Sequence, residues 1–242
     1  SSLGLDAVIM KGGPNSNVYI YDPEAFSDSG LAAPGGAGLS HVEFCYDYEL
    51  DVDKDANTSY TRTYDWTITK EADSTYNLFT GDTQDHEYTV SVFKDEGTDS
   101  DWAVSGSIYI DNNTPFDATI ESVEDVVFGI GSVPVSCGVT FPYTLAAGNS
   151  LTCTYDTDLP NDSDRTNTAT VTTSGDVGGG EATADVLFNE NTTINKVNDS
   201  VTVTDTNTAF GGPHIVSDDT TFPSYEIEFA CNADEGTLVN TA

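Results

Sequence analysis

Residues Trp102–Ile110 read WAVSGSIYI, and this stretch decides the fold. Trp102, Val104, Ile108 and Ile110 share one parity, interrupted only by Gly106. An extended strand sends successive side chains to opposite faces, so this pattern buries one face against a core and turns the other toward water. A helix would need apolar residues three and four apart. Two neighbouring stretches repeat the alternation. EYTVSV (87–92) turns Tyr88, Val90 and Val92 inward. YTRTYDWTIT (60–69) sets Tyr60, Tyr64, Trp66 and Ile68 against Thr61, Thr63, Asp65, Thr67 and Thr69 on a single half-buried strand.

Working outward, further strands are predicted at Ala118–Phe128, Leu151–Tyr155, Thr168–Thr172 and Ala182–Phe188. Turn-forming loops such as DEGTDSD (95–101), LAAGNS (145–150) and DVGGGE (176–181) separate them. About seven short strands with turn signals between them and no helical stretch predict an all-β chain, with an immunoglobulin-like Greek-key β-sandwich over residues 45–189. Residues 1–44 read as an N-terminal strand arm and linker: strands Leu5–Met10 and Asn17–Tyr21 are joined by KGGPNS and followed by SDSGLAAPGGAGLS. Residues 190–242 carry strands at Ser200–Thr204, Tyr225–Cys231 and Leu238–Ala242, with a fourth at Thr192–Lys196. So few strands cannot close a sandwich, so a second, incomplete β-sandwich domain with open edges is expected there. The chain ends in DEGTLVNTA, and its Asn240-Thr241-Ala242 echoes Asn167-Thr168-Ala169, as though the last strand stopped where its counterpart continues.

Seven Lys and Arg face 41 Asp and Glu among the 242 residues, a formal net charge of −34. Phosphate backbones and anionic membranes demand a cationic surface, so nucleic acid and membrane insertion are excluded as partners. Regular alternation argues against disorder despite the charge. Self-repulsion is relieved where salt shortens the Debye length, about 8 Å at physiological strength and about 3 Å at 1 M, which points to a saline setting. No apolar run approaches the roughly 20 residues of a membrane span, and the opening SSLGLDAVIMKGG lacks the regions of a signal peptide, so the chain reads as mature. Four Cys without CxxC or CxxCH fit an oxidising, extracellular or cell-surface location. A Cys137–Cys153 bridge is expected, closing a loop worth about 3 kcal/mol. Cys45 and Cys231 are then left to bridge within the chain, to bridge between neighbouring molecules, or to stay thiols.

The stretches DAVIMKGGPNSNVYIYDPEAFSDSGL, GLSHVEFCYDYEL, YTRTYDWTITKEAD, DWAVSGSIYIDN, LTCTYDTDLP and NTATV resemble secreted and cell-surface proteins of bacteria and archaea built from immunoglobulin-like repeats. The resemblance covers most of the chain and rests on structural punctuation that carries no chemistry. It implies a surface, adhesive or fibrous component.

Candidate chemistry is sparse. Asp51, Asp53, Asp55 and Asn57 alternate in DVDKDANTSYTR as the oxygen ligands of an EF-hand calcium loop do, although Ala56 and Arg62 stand where such a loop has Gly and Glu. Asp95, Glu96, Asp99 and Asp101 form a second acidic run; solvated strand edges are the ordinary reading of both. Asn57, Asn112, Asn161, Asn191 and Asn198 each begin a glycosylation sequon, and glycans there would shield strand edges. His41, His86 and His214 lack metal-binding spacing. There is no GxSxG nucleophile motif, so no enzyme and no cofactor other than calcium is expected. Lys70 and Asn167 suggest the intramolecular isopeptide bond of some pilin-like sandwiches, which requires a buried Lys, Asn and acidic partner.

The resulting expectation is a structural subunit of an extracellular filament, assembled head to tail from identical subunits by β-strand donation. Residues 1–21 are the expected donor, with Leu5, Ala7, Ile9, Val18 and Ile20 as plugs, and residues 190–242 the acceptor. The alternative is a non-enzymatic adhesin or binding module of a longer surface protein, whose partners are glycans or surface ligands.

Overall fold

The computed structural model describes residues 4–72, 77–231 and 241 and is all-β. The chain opens with β1 (Leu5–Gly12), β2 (Asn15–Ala25), β3 (His41–Cys45), β4 (Tyr48–Glu49) and β5 (Asp51–Lys54). Longer strands follow: β6 (Asn57–Thr63), β7 (Trp66–Ala72), β8 (Thr83–Lys94), β9 (Thr98–Asp111) and β10 (Ala118–Val127). Next come β11 (Gly131–Val133), β12 (Val135–Ser136), β13 (Tyr143–Leu145), β14 (Ser150–Asp158), β15 (Arg165–Ser174), β16 (Val177–Gly178) and β17 (Gly180–Val186). The last are β18 (Thr193–Val197), β19 (Val201–Val203), β20 (His214–Val216), β21 (Thr220–Thr221) and β22 (Tyr225–Ala230). Helical structure among the described residues is limited to the short 3-10 turns Pro34–Gly36 and Thr208–Phe210. No helix there is long and apolar enough to cross a membrane.

The alternation that marks β9 is reproduced in three dimensions, with Val104, Ile108 and Ile110 essentially inaccessible to solvent. Gly106 interrupts that row because nothing larger fits. A Cβ there would lie 2.3 Å from the Asp55 carbonyl oxygen and 2.8 Å from the Tyr155 hydroxyl. YTRTYDWTIT, in contrast, is two strands. The chain breaks at Tyr64 and Asp65, whose amides donate to the Val197 carbonyl and to Asp95 Oδ1. β6 then pairs in parallel with β18, while β7 pairs antiparallel with β8. Ile68, expected inside, is therefore on an exposed face.

Contacts divide the chain into two compact units, each assembled from separated segments. Unit 1 comprises Ser1–Asn57, Val104–Thr157 and Ser163–Leu187; unit 2 comprises Thr58–Ala103, Asp158–Asp162 and Phe188–Ala242. Residues 45–189 are thus shared between them. In unit 1, β1 is the central strand of the sheet β2-β1-β3, and a second sheet runs β11-β10-β15-β17 with β13 alongside β10. β5 pairs with β9 and β12 with β14, all antiparallel. The Cys137–Cys153 disulfide ties the residue after β12 to the fully buried centre of β14. Cys45, at the end of β3, and Cys231, after β22, are half-buried thiols, one in each unit.

The N-terminal arm is folded onto its own unit. β1 is hydrogen-bonded to β2 on one side and β3 on the other. Val8 and Met10 of β1 are buried, the opposite parity to Leu5, Ala7 and Ile9, because a strand can turn only one of its two faces into a core. Val18 and Ile20 lie on the edge strand β2, 56% and 78% exposed.

In unit 2 the strands of the tail find partners in the same chain. β21 and β22 pair with β8, and β19 with β20. Val90, Val92, Val203, Phe210, Phe222 and Tyr225 form the core. The expected strand Leu238–Ala242 lies outside the described residues apart from Thr241, whose carbonyl oxygen accepts from the Thr206 amide at 3.0 Å.

Removing buried methylenes from β9 leaves a cavity, so Ile108→Ala is expected to destabilise by about 2–5 kcal/mol, and Gly106→Ala, by overpacking, by about 1–3 kcal/mol. Ile20→Ala should stay within about 0.5 kcal/mol. Urea unfolding midpoints of the three variants test this order.

Candidate functional site

Among the described residues, Lys54, Asp125 and Asn167 form a buried polar cluster in unit 1 that is built by strand register. In β10 the buried residues begin as Ala118 and Ile120, then switch to Val123, Asp125 and Val127. The switch coincides with a bulge against β15 between Ile120 and Ser122. One extra residue exchanges the two faces of a strand, and here it turns Asp125 inward. On β15, Asn167, Ala169 and Val171 face the same interior. Asp125 sits opposite Ala169, and Asn167 opposite Val127, so Asp125 and Asn167 are diagonal neighbours on one face. From the other side comes Lys54, the last residue of β5, opposite Ile108 of β9.

Lys54 Nζ donates to Asp125 Oδ1 at 2.5 Å, and neither side chain has any exposed surface. Asn167 Nδ2 donates to the other carboxylate oxygen, Oδ2, at 3.0 Å. Asn167 Oδ1 is buried without a hydrogen-bond partner. The ammonium lies over the Tyr155 ring, 4.1 Å from its centroid. Tyr155 in turn donates its hydroxyl to the Asp55 carbonyl at 2.6 Å, in the space left by Gly106. Burial holds the Lys54 pKa below its ordinary value, against the upward pull of Asp125. Burial also pushes the Tyr155 phenol up to about 12. One carboxylate thus bridges an amine and a carboxamide where water does not reach.

Unit 2 holds a different polar centre. Lys70 Nζ donates to Asp205 Oδ2 at 2.6 Å, and the Tyr225 hydroxyl donates to the same oxygen at 2.8 Å. Burial raises the Asp205 pKa, but the bonds from Lys70, the Asn207 amide and Tyr225 outweigh it and leave the carboxyl below its ordinary 3.8. Arg62 grips both oxygens of Asp99, and Lys94 holds Asp199; each pairing keeps its carboxyl low. Lys70 and Asn167, linked in the expectation of an isopeptide bond, therefore belong to two separate centres. The lysine that shares an acid with Asn167 is Lys54.

The other expected sites are scattered. Asp51 and Asp53 share the outer face of the extended strand β5 instead of lining a loop curled round a cation. Asp51 accepts from Asn113, while Asp55 is engaged by Ser107, Asn57 and Tyr109. Asp95 caps the Asp65 and Gly97 amides. Among the described residues no group of three or more His, Cys, Asp or Glu converges on a metal position. Asn112 is wholly buried, donating to the Phe116 and Leu145 carbonyls, so a glycan cannot be attached there in the folded chain. Asn57, Asn161, Asn191 and Asn198 are exposed. His41, His86 and His214 stand on β3, β8 and β20 respectively. A recess in unit 2 of about 250 Å³, lined by Trp66, Ile68, Val92, Val201 and Val203 among others, contains no ionisable side chain.

Lys54 and Asp125 were missed as site residues, yet each carries a signal in the sequence. Lys54 shares its parity with Val52, Asp125 with Val123 and Val127, and Asn167 with Ala169 and Val171. A polar residue on the apolar parity of a strand is one that must be partnered inside. Compared with protein-family models, curated proteins and solved structures, the chain matches none.

Asp205→Asn removes the charge that Lys70 faces and is expected to cost unit 2 about 3 kcal/mol at neutral pH. Because the folded pKa of Asp205 is depressed, its contribution is present above the ordinary 3.8 and is lost as the pH falls through the folded value. The gap in urea midpoint between wild type and Asp205→Asn should therefore be widest at neutral pH and narrow below 3.8.

Proposed function

We propose that this chain is a non-enzymatic structural or binding module of an extracellular surface, with unit 1 an immunoglobulin-like Greek-key sandwich. The observation that carries the reading is the internal bracing of unit 1. A disulfide, and a wholly buried Lys54–Asp125 pair reaching from β5 to β10, both tie strands together inside an all-β body. Such bracing suits a scaffold that must keep its shape under an exterior charge of −34. The disulfide favours an oxidising compartment, and the resemblance to secreted and cell-surface repeat proteins points the same way.

The pairing of β1 on both sides within its own chain favours this reading over donation of residues 1–21 to a neighbour. Assembly into a filament of identical subunits keeps one specific support. β2 is an edge strand carrying exposed Val18 and Ile20, a surface on which a second copy could add a strand. Light scattering and electron microscopy of the purified chain separate the two. Discrete monomers support the module; threads that disappear in Ile20→Lys support assembly through β2.

Self-repulsion of the charge is screened by salt, so the thermal midpoint should climb steadily from dilute buffer to about 1 M NaCl. A midpoint that ignores salt would count against the saline surface setting.

A further inference from the structure

We propose that the folded chain closes an amide bond between Nζ of Lys54 and Cγ of Asn167, with Asp125 carrying the protons. The two groups that would react are held on the two oxygens of one carboxylate, at 2.5 Å and 3.0 Å. Such positioning turns an encounter between an amine and a weak acyl donor into a reaction within one preformed site. All three residues are buried, so water neither competes for the acyl carbon nor returns to hydrolyse the product. The unpartnered Asn167 Oδ1 is the second observation. Buried acceptors are ordinarily bonded, and an orphan in an interior asks for a reason. A half-turn of the carboxamide would exchange Nδ2 for Oδ1 and bring that oxygen onto Asp125.

The steps balance without any outside reagent. The Lys54 ammonium passes a proton to Asp125 across their hydrogen bond, since a buried medium favours the neutral pair over the ions. Burial already holds the Lys54 pKa down. The neutral amine attacks Asn167 Cγ while the protonated Asp125 donates to Oδ1 and polarises the carbonyl. The resulting tetrahedral centre loses the nitrogen that was Nδ2. That nitrogen takes up one of the two protons released from Nζ and leaves as ammonia, which accepts the other as Asp125 returns to carboxylate. One C–N bond forms, one breaks, and nothing is oxidised or reduced. Lys70 cannot do the same, because the third member of its centre is the Tyr225 phenol, which has no acyl carbon.

The bond would join β5 to β15, fixing the first strand beside β9 to the sheet that contains β10 and β17. It does not depend on whether the chain is a monomeric module or a fibre subunit, since its test reads mass and not assembly.

Intact mass of the full-length folded chain is the experiment. The wild type is expected to be lighter by one ammonia than its sequence with one disulfide, and tandem spectra of a digest should show a branched peptide linking Lys54 to Asn167. Lys54→Arg keeps a cation facing Asp125 but removes the nucleophile, and Asp125→Asn keeps the shape but removes the proton carrier. Both are expected at full mass, with the Cys137–Cys153 bridge reporting that they folded. On reducing denaturing gels the wild type should run ahead of Lys54→Arg, because a closed loop is more compact. A folded wild type at full mass overturns the proposal. So does an ammonia loss that persists in Lys54→Arg, which would place it elsewhere in the chain.

Discussion

A lysine with no exposed side-chain surface, inside a chain of net charge −34, is held by a single carboxylate. Removing either ion from water is expensive, and leaving either one alone in the interior is worse, so the Lys54–Asp125 pair constrains everything around it. The bulge in β10 is needed to face Asp125 inward, and the register of β15 is needed to bring Asn167 diagonal to it. Gly106 leaves room for the Asp55 carbonyl and the Tyr155 hydroxyl, and the Tyr155 ring then covers the ammonium. Each of these features looks minor in isolation. Together they let one polar centre sit in the interior of unit 1.

Much of the strand layout was legible because period-two alternation is local: β2, β8, β9, β10, β14, β15, β17, β19 and β22 coincide with alternating runs. What was not legible depended on partners distant in sequence. YTRTYDWTIT alternates without a fault, yet its two halves bond to β18 and β8, and nothing within the ten residues announces the division. Likewise, the tail has too few strands to close by itself. The completion comes from β6 and β8, more than a hundred residues upstream.

The candidate site was hidden by its neighbours. In DVDKD the alternating carboxylates draw attention, and the lysine between them looks like one more surface charge. Strand geometry inverts that reading: if Asp51 and Asp53 face water, Lys54 faces the core. Asn167 was singled out, but its acid could not be chosen from 41 carboxylates without knowing that a bulge reverses β10. The acidic composition that dominates the surface reading therefore obscures the interior chemistry.

All seven Lys and Arg residues, Lys11, Lys54, Arg62, Lys70, Lys94, Arg165 and Lys196, lie within strands, and none is on a loop. Proteases that cut after basic residues need several residues of freely accessible chain, which exposed loops offer and hydrogen-bonded strands do not. The folded molecule thus presents no ready cleavage point to trypsin-like enzymes, a useful property for any protein that must persist among secreted hydrolases.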